Sequence, residues 1–119
     1  MSTDSLEQLR QRLAEFAAVR DWDQFHSPKN LAMALIGESA EIIEHFQWIT
    51  EVQSQHLSPE KKQAVSQELA DVLIYLIRLA DKLEIDLIAT TQAKIQSNEN
   101  RYPIELVKGS ARRAAEYER

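Results

Sequence analysis

The sequence contains no cysteine, only two glycines and only three prolines in 119 residues. The absence of cysteine excludes a disulfide framework and thiolate chemistry, and a reducing cytoplasm is the expected compartment. Scarce glycine and proline, with abundant Ala, Leu, Glu, Gln and Arg, favour an all-α chain. No apolar run approaches the ~18 residues that a membrane helix needs, so no membrane partner is expected. The opening residues Met1-Ser2-Thr3-Asp4-Ser5 are polar and acidic, unlike a signal peptide. Basic residues are outnumbered, 14 Lys and Arg against 19 Asp and Glu, for a net charge of −5. That balance argues against a polynucleotide partner, which calls for a basic footprint. It leaves room for a small phosphorylated ligand, because a cation held by carboxylates can supply the positive charge.

What is present is helical periodicity. At this length one domain is expected, over residues 1–112, followed by a flexible tail over residues 113–119 that begins beside the basic Arg112-Arg113. The first helix is expected from about Asp4 to Val19, with Asp4 and Glu7 as its start signal. Residues 20–26 have no sustained period and read as a loop carrying Trp22, Phe25 and His26. Phe25 suits a place over the core, whereas Trp22 and His26 suit a ligand equally well, since both stack and hydrogen-bond. Ser27-Pro28 opens a second helix, read as continuing to about Glu51, and Ser58-Pro59 opens a third, to about Leu83. Asp86 caps a fourth helix, on which Lys94, Asn98 and Arg101 can share one face. Gly37 inside the second helix suggests close approach of a neighbouring helix or a ligand. Ile36 and Ile43 lie on the far side of the second helix, as Ile74 and Ile77 do on the third. Helices apolar on two sides need a second partner surface, which points to a homodimer or homotetramer.

Two acidic signatures dominate the pattern: Glu38-Ser39-Ala40-Glu41 and Glu68-Leu69-Ala70-Asp71. Each places two carboxylates three residues apart, on one helix face. Taking Glu38 as zero and ~100° per residue, Glu41 falls at about 300° and the apolar stripe of Leu31, Leu35, Ile42, Phe46 and Ile49 between about 20° and 80°. The third helix repeats this from Glu68, with Asp71 at about 300° and Tyr75 at about 340°. On the same wheel as Glu38, Trp48 lies at about 280°, beside Glu41, where it would suit a base-stacking wall. The acids thus stand on the shoulder of the stripe, so packing the two stripes would bring all four together. At ~4 Å two like charges repel by about 4 kcal/mol at an effective dielectric of 20. A bound divalent cation would compensate, and an all-oxygen set favours Mg²⁺ or Mn²⁺ over zinc. A di-iron carboxylate bundle needs Glu-x-x-His pairs, but Ile42 and Gln53 stand three residues before His45 and His56. A single E-x-x-E is usually only a solvated face, and a non-catalytic helical oligomerisation module remains the alternative reading of these residues.

The order E-x-x-E, spacer, E-x-x-D resembles the MazG-like group of all-α nucleoside triphosphate pyrophosphohydrolases. Further segments are similar to its dCTP-cleaving branch: Arg20-Asp21-Trp22, Gln24-Phe25-His26, Gly37-Glu38, Phe46-Gln47-Trp48, Asp71-Val72-Leu73-Ile74-Tyr75-Leu76 and Arg101-Tyr102-Pro103. The resemblance implies a four-helix MazG-like bundle that assembles into a dimer or tetramer. Glu38, Glu41, Glu68 and Asp71 would be the Mg²⁺ ligands, with Glu41 and Glu38 catalytic. Trp22, Phe25, His26, Trp48 and Tyr75 would line the base and sugar of a nucleoside triphosphate, and Lys94, Asn98 and Arg101 would lie near its phosphates, with a neighbouring subunit contributing. Leu13 departs from the pattern, standing where close eukaryotic members have a substrate-contacting histidine. The implied reaction splits dCTP or a modified dCTP into monophosphate and pyrophosphate, with a broader NTP range as the alternative.

Overall fold

A computed structural model describes residues 5–111; the expected cap at Asp4, the basic pair Arg112-Arg113 and the tail over residues 113–119 lie outside the described residues. All regular structure among the described residues is helical: α1 (Leu6–Val19), a 3₁₀ turn (Asp23–Phe25), α2 (Pro28–Glu44), α3 (Glu51–Ser54), α4 (Pro59–Lys82), α5 (Leu87–Arg101) and α6 (Ile104–Val107). The four long helices are those read from the periodicity. The one-turn helices α3 and α6 are additions.

Helix starts follow cap chemistry. Ser27 and Ser58 each accept a backbone N–H at 3.1 Å, from Asn30 and Lys61, ahead of a proline in the first turn. Asp86 accepts from Ala89 at 3.0 Å. At α1 the box belongs to Ser5 and Gln8, one residue beyond the Asp4–Glu7 pair expected from the sequence. Two helix ends are closed without glycine. Asp21 and Glu84 adopt φ of 55°, and the next N–H groups return to the helix, Trp22 to Ala17 O and Ile85 to Ala80 O, both at 2.9 Å. These are Schellman closures carried by acidic residues in the left-handed region.

The second helix does not run to Glu51. It ends at Glu44 with His45 as cap, and residues 45–49 turn through i→i+3 bonds, including Phe46 N to Ile43 O at 2.9 Å. Thr50 and Gln53 then form a reciprocal capping box that starts α3. The box starts α3 as a separate helix, because its N-cap residue must leave helical geometry.

The described residues fall into two compact units, one ending at Ile85 and the other beginning at Asp86. In the first, α4 packs against α1 and α2. Their core is Ala17 from α1, Leu31 from α2, and Val65, Ile77 and Ala80 from α4. His26, just before α2, meets Arg78 near the end of α4, and His45, just after α2, meets Glu68 earlier in α4. The two helices therefore run antiparallel. Ile77, expected at an intersubunit surface, is 3% exposed and belongs to the chain's own core. Ile36 and Ile43 remain 69% and 58% exposed. Beyond its chain neighbours and its own helix backbone, no described residue lies within 4 Å of a Cβ placed at Gly37, so the close approach expected there is not made among the described residues. The second unit contains α5 and α6, and no described helix is long and apolar enough to cross a membrane.

Candidate metal centre and nucleotide loop

The antiparallel pairing of α2 and α4 brings the two acidic signatures together. One carboxylate oxygen from each of Glu38, Glu41 and Glu68 lies within 4.8 Å of the others. Asp71, a turn beyond Glu68, stays outside this trio, yet its charge acts on both Glu38 and Glu68. Glu38 and Glu68 are half-buried and Glu41 is exposed. Desolvation, reinforced by the charge of Glu41, raises the carboxyl of Glu38 above the ordinary glutamate range. Glu68 is raised chiefly by sharing a hydrogen bond with Glu41, then by desolvation. Like charges this close disfavour one another's ionised forms, and a cation among them would relieve both. Glu68 Oε2 is buried with no hydrogen-bond partner among the described residues. An acceptor atom enclosed without a partner is unfavourable, and a cation at that oxygen would relieve it. The oxygen-only donor set fits a hard divalent cation.

Around the trio, Nε2 of His45 stands 3.8 Å from Glu68 Oε1, and its Nδ1 lies 3.4 Å from Nζ of Lys61. Tyr75 is half-buried on the α4 stripe that carries Glu68 and Asp71. Arg78 extends that stripe and is 4% exposed, the only polar side chain buried among the described residues. Its Nη2 bonds Asp23 Oδ1 at 2.9 Å, and its Nε and Nη2 reach His26 Nδ1 at 3.3 and 3.2 Å. Lys82 Nζ adds a 2.7 Å ion pair to Asp23. Desolvation, with the Arg78 charge second, pushes the His26 imidazole below its ordinary value. Arg78 is absent from the residues expected at the site, although at ten residues beyond Glu68 it falls at about 280° on the same wheel, next to Asp71.

The Trp and Phe side chains expected around the base lie exposed, on both sides of α2. Trp22 and Phe25 are exposed on the loop before α2, with Trp22 edge-on to Phe16 at 5.6 Å between ring centroids. Trp48 follows the other end of α2 and is 86% exposed. Trp22 and Phe25 thus precede α2 and Trp48 follows it, at opposite ends of a 17-residue helix about 25 Å long. The wheel that set Trp48 beside Glu41 fails because α2 ends before Trp48. On α5, Lys94 and Arg101 are exposed and Asn98 half-buried, with the Arg101 guanidinium 5.7 Å from the Tyr102 ring centroid. Their spacing of four and three keeps them on one face.

An all-α fold with two acidic helix pairs converging on a cation-sized cluster defines a helical carboxylate-site protein. Residues 36–116 match the model of the MazG-like family, and the chain belongs to that family. It is 46% identical over 112 residues to dCTP pyrophosphatase 1 of Bos taurus, covering 92% of this chain, and 48% identical over 109 residues to that of Mus musculus, covering 90%. The chain spans 66% and 64% of the lengths of those two relatives, just under two-thirds. A crystal structure of a pyrophosphatase from Archaeoglobus fulgidus superposes with a TM-score of 0.78 at 38% identity, over 87% of this chain and 96% of that one.

Proposed function

We propose that this chain is a Mg²⁺-dependent nucleoside triphosphate pyrophosphohydrolase, with Mn²⁺ able to substitute, that cleaves dCTP and modified dCTPs to monophosphate and pyrophosphate and so cleans the nucleotide pool. The observation that carries this reading is the trio Glu38, Glu41 and Glu68 around the unpaired Glu68 Oε2. Likeness to the mammalian dCTP pyrophosphatases and to the archaeal pyrophosphatase supports the reaction class.

Glu38, Glu68 and Asp71 would hold the metal together with Glu41. A divalent cation bound there supplies charge neutralisation and Lewis acidity to the triphosphate. Glu41 is the most open of the trio and is assigned to orient the attacking water and accept its proton at a carboxylate oxygen. The water oxygen joins the phosphorus attacked, the bond between the α and β phosphates breaks, and the pyrophosphate or monophosphate leaves. Little covalent work falls to the protein; positioning and electrostatics carry the rate. Trp22, Phe25, His26 and Tyr75 are assigned to base and sugar, and Lys94, Asn98 and Arg101 to the phosphates.

The same reading makes the working unit a homodimer or homotetramer. Ile36 and Ile43 leave a strongly apolar face on α2, and a groove of about 390 Å³ opens between α1 and α4 along Leu9, Leu13, Phe16, Leu73 and Ile74. Trp48 of a second copy would then complete the wall that one chain leaves open. A cytoplasmic setting suits a chain without cysteine and a nucleotide-pool substrate. A hydrolysis screen across the common NTPs and dNTPs and 5-substituted dCTPs, with product analysis, tests the proposal. Selective conversion of dCTP and its analogues supports it, and no pyrophosphate from any triphosphate refutes it.

A further inference from the structure

Arg78 poses a question that the carboxylate cluster does not answer. A buried guanidinium is costly, and replacing a buried ion pair with apolar side chains is often neutral or stabilising. Arg78 is nonetheless buried on α4, and its bonds run to one loop: Asp23 at 2.9 Å and His26 at 3.2–3.3 Å. Asp81 steadies it from below at 3.4 Å and is itself held to α1 by Arg10 at 3.0 Å. Lys82 grips the same Asp23 oxygen at 2.7 Å. The gripped loop carries Trp22 and Phe25, which are exposed and hence available to a ligand.

Position along α4 matters as much as the bonds. Arg78 lies seven residues after Asp71, nearly two full turns, so it shares Asp71's face about 10 Å further along the helix. One stripe of α4 therefore carries, in order, the acidic centre, Tyr75 and the anchor of the aromatic loop. The chemistry of the bond to His26 adds a second consequence. Guanidinium has only donors, so His26 Nδ1 must accept and a neutral His26 must carry its proton on Nε2. Burial and the Arg78 charge both favour that neutral form. Among the described residues nothing accepts from Nε2.

We propose that Arg78 is a positioning residue: it fixes the Trp22–His26 loop at a set distance from the acidic centre and locks His26 as the Nε2–H tautomer, so that the loop offers a hydrogen-bond donor to an acceptor atom of the bound nucleoside. This rests on the pyrophosphohydrolase reading for its substrate, but not for its geometry.

Three readouts test it. In ¹⁵N-labelled wild-type protein, which has only three histidines, the His26 ring shifts should report a single Nε2–H tautomer. A protonated Nδ1, or a fast mixture, overturns the tautomer assignment. Asp23→Asn alters an exposed side chain and should leave the fold intact, while Arg78→Lys keeps the charge and loses the fork. Both should accelerate amide exchange over residues 20–26 while amides of α2 and α4 stay protected. Both should also raise KM for the preferred triphosphate by about tenfold, with kcat within about twofold. Unchanged loop exchange overturns the anchoring role, and a loosened loop with unchanged KM overturns the positioning role. If wild-type protein hydrolyses no triphosphate, the pyrophosphohydrolase reading fails separately, and binding of a non-hydrolysed triphosphate by wild type and Asp23→Asn decides the positioning role in place of KM.

Discussion

Nε2 of His45 stands 3.8 Å from Oε1 of Glu68, across the seam where the end of α2 meets α4. Lys61 Nζ, a donor only, sits 3.4 Å from the other ring nitrogen. One oxygen of Glu68 thus faces the His45 ring beyond hydrogen-bond distance, while Oε2 is buried without a hydrogen-bond partner among the described residues. Glu68 therefore keeps an oxygen that a cation could take.

Metal-free protein should be strained at this seam. The raised carboxyls of Glu38 and Glu68 bind protons more readily in the folded than in the unfolded state. Their contribution is favourable when they are protonated and is lost as pH rises through the raised values. His26 runs the other way: its lowered value makes the folded state lose stability as pH falls through the ordinary histidine range. Comparing Glu68→Gln with wild type cancels the His26 part. In EDTA the variant should melt higher than wild type at neutral pH, with the gap closing as the pH falls and the raised carboxyls take up protons. Mg²⁺ should stabilise wild type, by about 2.7 kcal/mol at a hundredfold excess over Kd, and the variant much less. Thermal melts with and without Mg²⁺ across pH check this; a gap independent of both argues against the cluster as a cation site.

Assembly should depend on the exposed face of α2. Ile36→Asp should leave helical content intact and yield a monomer by sedimentation, because Ile36 is 69% exposed and outside the buried core. Ile77→Asp should instead unfold the chain, since it places a charge where the side chain is almost fully enclosed. A wild-type monomer at micromolar concentration with full activity would contradict the oligomeric account.

Much of this is legible in residue spacing, and each departure has a definite physical cause. The Ser-Pro starts and the 3–4 spacing locate the long helices, and two E-x-x-acid pairs locate the centre, because caps and periodicity are local. Thr50-x-x-Gln53 is equally legible as a capping box but follows an apolar run, so periodicity alone carries α2 past its end at Glu44 and through Trp48. Ile77 reads as outward because a wheel shows that a helix has two apolar sides without showing which neighbour takes which. Arg78 gives no local signal because its partners, Asp23 and His26, lie 55 and 52 residues away in sequence.

Trp22 and Trp48 offer a direct test of where the base binds. Each single alanine variant should raise KM more than it lowers kcat, since base stacking is worth about 1–3 kcal/mol. If the wall is built from two chains, mixed oligomers of Trp22→Ala and Trp48→Ala regain some sites with both tryptophans and recover part of the lost activity. No recovery after confirmed mixing places both on one chain and contradicts the composite wall. Purine triphosphates should react poorly, and equal kcat/KM for dATP and dCTP would remove the pyrimidine preference while sparing the reaction class.

The central claim is that Glu38, Glu41, Glu68 and Asp71 drive cleavage between the α and β phosphates. Phosphorus-31 spectra of dCTP incubated with Mg²⁺ and either wild type or Glu41→Gln test it most directly. Wild type should release dCMP and pyrophosphate in equal amounts, and Glu41→Gln, isosteric and folded, should be slower by about 10²- to 10³-fold. Release of dCDP and orthophosphate, or a variant retaining more than about a tenth of the wild-type rate, would contradict the account.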